Sequence, residues 1–247
     1  AITNAVSQLV FFQGGYGSFV CTSLLARMDH EILPAIHAAH AARGEVEALA
    51  TDIGCEVTVF TTVGPEEMAT VLSVMAPGMD READFGRRVP MIPPIGDTYF
   101  VDKSPEEQAR WMGQLRDVDD SVRNMHAERL AFLERHGFLY SLLPPGVGRS
   151  AYDSVRDATR DYSRGRLTPM EQRDIRRRLT ETSVDYHVSD LEDSRTYDIG
   201  SLVIPVRDRH GVCSMTLRLS QLPAGADGAQ VLGWIERAGS AVAALSS

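Results

Sequence analysis

Apolar residues recur at three- and four-residue steps from Ile32 to Ile53, through Ile36, Ala39, Val46, Leu49 and Ala50, and Gly54 ends the run. That spacing predicts helix over roughly 24–53, with Pro34 splitting or kinking it near residue 30. The period then drops to two. Cys55, Val57, Val59, Thr61 and Val63 share one side of a strand at 55–63, Gly64-Pro65 is turn chemistry, and 68–76 reads as a second strand. The proline-rich stretch RRVPMIPPIG (87–96) leads into a short segment ending near Val101. Ser104 as N-cap and Pro105 at the first helical position open another helix.

Downstream, a helix over about 121–136 is stopped by Gly137, and a strand at 138–143 is closed by Pro144-Pro145-Gly146. Residues 149–182 read as two charged helices broken around Gly165 and Thr168-Pro169. Two strands, 199–206 and 212–220, flank the turn RDRHG (207–211), and a final helix at about 228–245 carries Val231, Ile235, Ala238, Val242 and Leu245 on one face. Hairpins flanked by helices predict a single α+β domain with an antiparallel or mixed sheet. The first 30 residues read as an appendage.

Composition narrows the function. In 247 residues, 43% are apolar, enough for one substantial core, and the net charge of −9 argues against a chain whose main task is gripping phosphate backbones. Lys103 is the only lysine among 25 basic residues. Cys21, Cys55 and Cys213 are odd in number and lack a CxxC, so neither a disulfide framework nor a zinc ribbon is expected, and a reducing cytoplasm is the expected compartment. No charge precedes Arg27, yet Asn4, Gln8, Gln13 and three glycines interrupt every apolar run short of a membrane span. No basic n-region marks a signal peptide, and no phosphate-cradling glycine loop is present, since Gly14-Gly15-Tyr16-Gly17 lacks the spacing.

Five segments, in order, carry a resemblance. They are LATDIGCEVTV (49–59), GRRVPMIPPIGDTYFV (86–101), RLAFLERHGFLYS (129–141), DIGSLVIPVRDRHGVCSMTLRLS (198–220) and the C-terminal amphipathic helix. Together they resemble the effector-binding domain of the isocitrate-lyase-regulator (IclR) family of bacterial transcription factors, over roughly residues 30–247; the PVxDxxG turn is the most specific part. The resemblance implies a GAF-like α+β domain, preceded by a linker helix, that binds a small aliphatic or aromatic carboxylate and works as a homodimer or tetramer. It implies DNA contact only through an N-terminal winged helix-turn-helix, of which residues 1–30 would hold a remnant: about 20 residues precede the linker helix where about 60 are needed. No catalysis and no cofactor are implied. Residues 149–195 stand out as an insertion.

The resemblance also carries over ligand positions: Met91, Pro93 and Gly96 on the proline-rich turn, Tyr140 and Ser141 after the glycine, Ile199 and Ser201 on the penultimate strand, and Arg218 and Ser220 on its return. Alternation independently puts Ser214, Thr216, Arg218 and Ser220 on one face of the last strand. Hydroxyls beside one guanidinium suit a carboxylate, which arginine binds through two parallel charge-assisted bonds. The same row also reads as a plain solvent face, and the family tends to keep a small residue where Arg218 stands.

Other clusters have blander readings. Residues 149–178 hold nine arginines against five acids, densest at Arg176-Arg177-Arg178, which reads as a DNA or subunit contact or as a solvated surface balanced by the acidic tract 181–198. His37 and His40 sit three apart on a helix without an evident third metal ligand. Asp208, His210 and Cys213 straddle a turn that aims them in different directions. The alternatives to a sensor are therefore a hydrolase-like enzyme using Cys213 or His210, and an interaction module with a closed pocket.

Overall fold

The computed structural model describes residues 32–79, 85–115, 119–144, 151–163, 167–180 and 184–247; the expected winged-helix remnant at 1–30, Gly165 and the side chain of Arg176 lie outside the described residues. The helical stripe at the start forms two helices, α1 (Ile32–Ala41) and α2 (Arg43–Ile53). Pro34 is accommodated within α1, and the break comes later than expected, at Ala42 (φ −81°, ψ 0°), beside Gly44, a weak helix former. Gly54, at φ 75°, takes the left-handed conformation that caps α2.

Strands β1 (Glu56–Thr62) and β2 (Glu67–Met75) form the first hairpin, and a short edge strand, β3 (Arg88–Pro90), pairs with β2. A proline falls naturally on such an edge, where a missing N–H breaks no ladder. After β3 come the short α3 (Asp97–Phe100), α4 (Pro105–Met112), α5 (Asp120–His136) and β4 (Leu139–Leu142). Ser104 and Glu107 close a capping box on α4, and Gly137 ends α5 at φ 75°. Then follow α6 (Ala151–Ser163), α7 (Pro169–Thr180), β5 (Thr196–Tyr197), β6 (Ile199–Arg207), β7 (Cys213–Ser220), β8 (Ala226–Asp227) and α8 (Gly228–Leu245). The main sheet has the order β3-β2-β1-β7-β6-β4, with antiparallel pairing throughout; β5 and β8 form a separate ribbon.

Alternation sorts the sheet into two faces. Val57 and Val59 of β1, Leu217 and Leu219 of β7, and Leu202, Ile204 and Val206 of β6 bury one face under α1, α2 and α8, whose Ile32, Val46, Leu49, Val231, Ala238 and Leu245 complete the core. Each of these valine, leucine and isoleucine side chains contributes roughly 1.5–3 kcal/mol by leaving water. Glu56, Thr58, Phe60, Thr216, Arg218, Ser220, Ser201 and Val203 lie on the opposite face.

The β6–β7 turn explains its own sequence. Asp208 Oδ1 accepts from the backbone N–H groups of His210 and Val212, at 2.8 and 3.1 Å, and Gly211 adopts φ 79°. Those bonds hold the Asp208 carboxyl below its usual range. Aspartate and glycine are there to build a turn. No helix among the described residues is long and apolar enough to cross a membrane.

Candidate ligand-binding site

The polar face of the sheet is not a solvent face. Thr58, Thr216, Ser201 and Ser220 are all buried, covered by the proline-rich turn, α3 and α5. The turn is tied down at two points: Met91 N–H donates to the Glu66 carbonyl, and Gln114 Nε2 donates to the Met91 carbonyl. Gly96 precedes α3 at φ 106°, and a Cβ there would lie 3.2 Å from Met91 Cβ, so a side chain would be strained in its backbone and crowded against Met91. α3 is then pinned to the sheet by Tyr99, whose hydroxyl donates to the Phe60 carbonyl at 3.0 Å, and by Thr98, whose hydroxyl meets that of Thr216 at 2.6 Å.

Between sheet and turn lies a cavity of about 250 Å³. Its sheet wall is Glu56, Phe60, Ile199, Gly200, Ser201, Val203, Thr216, Arg218 and Ser220. Facing it are Pro94, Ile95, Gly96, Asp97 and Thr98, with Arg129, Leu139, Thr159 and Tyr186 at the sides. A dry 150 Å³ cavity already holds a benzene ring, so this one has room for a small acid. Five charged residues line it: Glu56, Arg87, Asp97, Arg129 and Arg218.

The most buried charges are Asp97 and Arg129, each 4% exposed. Arg129 Nε and Nη2 both reach Asp97 Oδ2 at 3.0 Å, while Nη1 donates to the carbonyls of Tyr140 (3.0 Å) and Tyr186 (2.7 Å). The guanidinium also lies 5.3 Å from the centre of the Tyr186 ring. Burial pushes the Asp97 carboxyl up to about 6, against the opposing pull of Arg129. One member of this pair stands at the start of a short helix and the other in the middle of a charged one. Only the fold brings them together, and neither was expected from sequence. At the outer end of the wall, Ser220 Oγ and Gln221 Nε2 both donate to Glu56 Oε2, at 2.9 and 3.3 Å.

Of the nine expected ligand positions, Gly96, Ile199, Ser201, Arg218 and Ser220 line the cavity and four do not. Tyr140 is opposite Leu202 in the β4–β6 register and points to the helix-covered face, where its hydroxyl bonds the Ser189 backbone. Adjacent strand residues point to opposite faces, so Tyr140 and Ser141 were never able to line one wall together. Ser141 stays on the cavity face but is buried behind Ser201, hydroxyl to hydroxyl at 2.8 Å. Met91 packs under the turn with Phe60, Met68, Val89 and Tyr99, and Pro93 is buried in the turn without reaching the cavity.

The expected insertion holds more than charge. Tyr162, Ile175 and Leu179 bury themselves with Ala158 and Ile92, Tyr162 donates to Glu67 at 2.7 Å, and the Arg88 N–H donates to Ser163. Thr159 of α6 reaches the cavity wall. Arg160 pairs with Asp157, Arg177 with Asp174 and Arg178 with Asp161, so these counter-charges come from within the helical hairpin.

Cys213 donates to the Met215 carbonyl, and burial pushes its thiol up to about 12, the reverse of what a nucleophile requires. His210 is exposed on the turn, as are His37 and His40 on α1. Among the described residues no cluster of three or more histidine, cysteine or acidic side chains is placed to hold a metal.

No protein-family model matches the sequence, and no curated protein matches it. Solved structures do match. An IclR transcriptional regulator from Alicyclobacillus acidocaldarius is 10% identical with a TM-score of 0.53, over 85% of this chain and 66% of that one. The Thermotoga maritima IclR is 9% identical with a TM-score of 0.54, over 94% of this chain and 73% of that one. An IclR homologue from Microbacterium hydrocarbonoxydans, in complex with 4-hydroxybenzoate, is 10% identical with a TM-score of 0.50, over 86% of this chain and 68% of that one. The chain thus spans about two thirds of the length of the Alicyclobacillus regulator. At this identity the likeness is one of backbone architecture: this chain has the α+β fold of IclR-type transcriptional regulators.

Proposed function

We propose that this chain is the effector-sensing part of a transcription regulator, and that a small organic acid occupies the cavity between the sheet and the proline-rich turn. The observation that carries this reading is the cavity itself: about 250 Å³, apolar through Phe60, Val89, Ile95, Ile199 and Val203, with Arg218, Ser201, Thr216 and Ser220 on one wall. An apolar pocket with a few convergent polar groups is the usual form of a small-molecule site. A guanidinium beside hydroxyls suits a carboxylate. The Microbacterium regulator of the same fold, with its bound hydroxybenzoate, supports the size and class of ligand.

The reaction is binding, without turnover. An acid with different affinity for two arrangements of the domain shifts the balance between them, and a coupling of about 1–3 kcal/mol changes DNA affinity 5- to 150-fold. Assembly as a homodimer or tetramer, and DNA contact through a winged helix, belong to the same proposal. So does a cytoplasmic location.

A thermal-shift screen of the chain against aliphatic and aromatic carboxylates tests it. A ligand at a hundred times its dissociation constant stabilises the fold by about 2.7 kcal/mol. Stabilisation confined to one class of acid, lost in Ser201→Ala or Ser220→Ala without unfolding, is the expected result. A flat screen, or an unchanged response in both variants, sinks the reading.

A further inference from the structure

Asp97 lines the cavity, and its two carboxyl oxygens are placed differently. Oδ2 takes both Arg129 contacts, at 3.0 Å each, whereas Oδ1 has no hydrogen-bond partner among the described residues, although the side chain is 4% exposed. Thr98, the next residue on the same wall, pairs its hydroxyl with Thr216. An acceptor held out of water without a donor is costly, so a donor that reaches it contributes more than the same bond at the surface.

From this we infer that Asp97 is a specificity-determining residue, which selects acids that also carry a neutral hydrogen-bond donor: a hydroxy acid over its parent. The inference rests on the acid-sensing reading above and deepens it. Asp97 is on α3 and Arg218 on β7, yet both line the same cavity of about 250 Å³, so one small molecule spans them, carboxylate towards Arg218 and hydroxyl towards Asp97. The donor is neutral for an electrostatic reason. Asp97 and Arg129 already balance each other in a buried pair, and an ammonium would add a third desolvated charge with no partner.

Calorimetric titration of the full chain with matched acids is the test. The probes are benzoate with 3- and 4-hydroxybenzoate and their methyl ethers, and butyrate with 3- and 4-hydroxybutyrate and 4-aminobutyrate. In at least one set the hydroxy acid binds at least tenfold tighter than its parent, about 1.4 kcal/mol, and methylating or aminating that position removes the gain. Asp97→Asn replaces the acceptor by a donor and keeps the shape. It brings the hydroxy-to-parent ratio within twofold, and the ratio is the readout because the lost charge beside Arg129 changes the affinity for every acid alike.

Parent and hydroxy acids within twofold of each other in every set overturn the role of Asp97 and leave acid sensing standing. No binding by any acid overturns both readings. A preference retained in Asp97→Asn, or a methyl ether that binds as well as the free hydroxyl, overturns the role of Asp97 alone. Should Asp97→Asn fail to fold, the methyl ethers decide the matter on the unaltered chain.

Discussion

The two faces of the central sheet are built from the same strands, one residue out of step. On β7, Leu217 and Leu219 go to the helix-covered side, while Thr216, Arg218 and Ser220 go to the other. Both sides are covered. The first is sealed by α1, α2 and α8 with aliphatic side chains; the second, under α3, α5 and the proline-rich turn, leaves a cavity lined with hydroxyls and five charged residues. One face therefore stabilises the fold by removing apolar area from water. The other keeps buried polar groups that stabilise little on balance and, on the proposed reading, serve to discriminate between ligands.

The largest test of that contrast is Arg129→Met. It leaves Asp97 buried without its counter-charge and removes the donor to the Tyr140 and Tyr186 carbonyls. Breaking a buried pair on one side costs about 3–5 kcal/mol, to be read from the midpoint of urea unfolding. The Arg129→Met/Asp97→Leu double variant, which removes both charges, recovers part of that loss. A single variant as stable as the parent would show that the pair carries no structural weight.

Next in size is Leu217→Ala on the sealed face. The side chain is fully buried, and truncation there costs about 2–5 kcal/mol. Acid binding measured at low temperature, where the variant is still folded, stays within twofold of the parent. A selective loss of binding would mean that the two faces are coupled, and that the sealed side transmits as well as stabilises.

How the two faces could be read beforehand differs in the same way. The sealed face was legible because apolar residues at periods of two and 3.6 identify both strands and covering helices: β1, β2, β6, β7 and α8 all lie within a residue or two of where the pattern puts them, as does the end of α2 at Gly54, whereas the break between α1 and α2 does not. The turn RDRHG was legible because aspartate and glycine have few other reasons to stand there. The short strands β3, β5 and β8 were missed because two or three residues carry no period. At the site, alternation placed Thr216, Arg218 and Ser220 together but said nothing of what covers them. Arg129 sits in ERLAFLERH, where a charged residue on a charged helix looks solvated. Asp97 follows a glycine and resembles a helix cap. Pairing between residues 32 positions apart is a tertiary fact, and no local pattern encodes it.

Smaller effects belong to single hydroxyls. Ser201→Ala removes the bond to Ser141, and Ser220→Ala removes the one to Glu56. Each costs about 1 kcal/mol of stability, the net value of one hydrogen bond, with a larger proportional effect on acid affinity. Stability losses near 3 kcal/mol with unchanged affinity would place these serines with the structural face instead.

The smallest effect is in the pH dependence, because two buried groups offset one another. The Asp97 carboxyl is raised from 3.8 to about 6 by burial, so the folded state holds its proton more tightly than the unfolded chain does. Its contribution to stability is full below pH 4 and is lost as the pH rises to 6. His126 on α5 is buried too. Desolvation first, and then the nearby charge of Arg129, lower it from 6.5 to about 4. Its contribution is full above pH 6.5 and is lost as the pH falls towards 4. Across pH 4–6 the two run in opposite directions, and the parent protein changes less than either alone would dictate. Asp97→Asn leaves the histidine unopposed, so stability falls more steeply on acidification. His126→Leu leaves the aspartate unopposed, so stability rises relative to the parent over the same interval. Unfolding midpoints at pH 4.0, 5.0, 6.0 and 7.0 for the three proteins decide it, and parallel curves would mean that neither group titrates differently on folding.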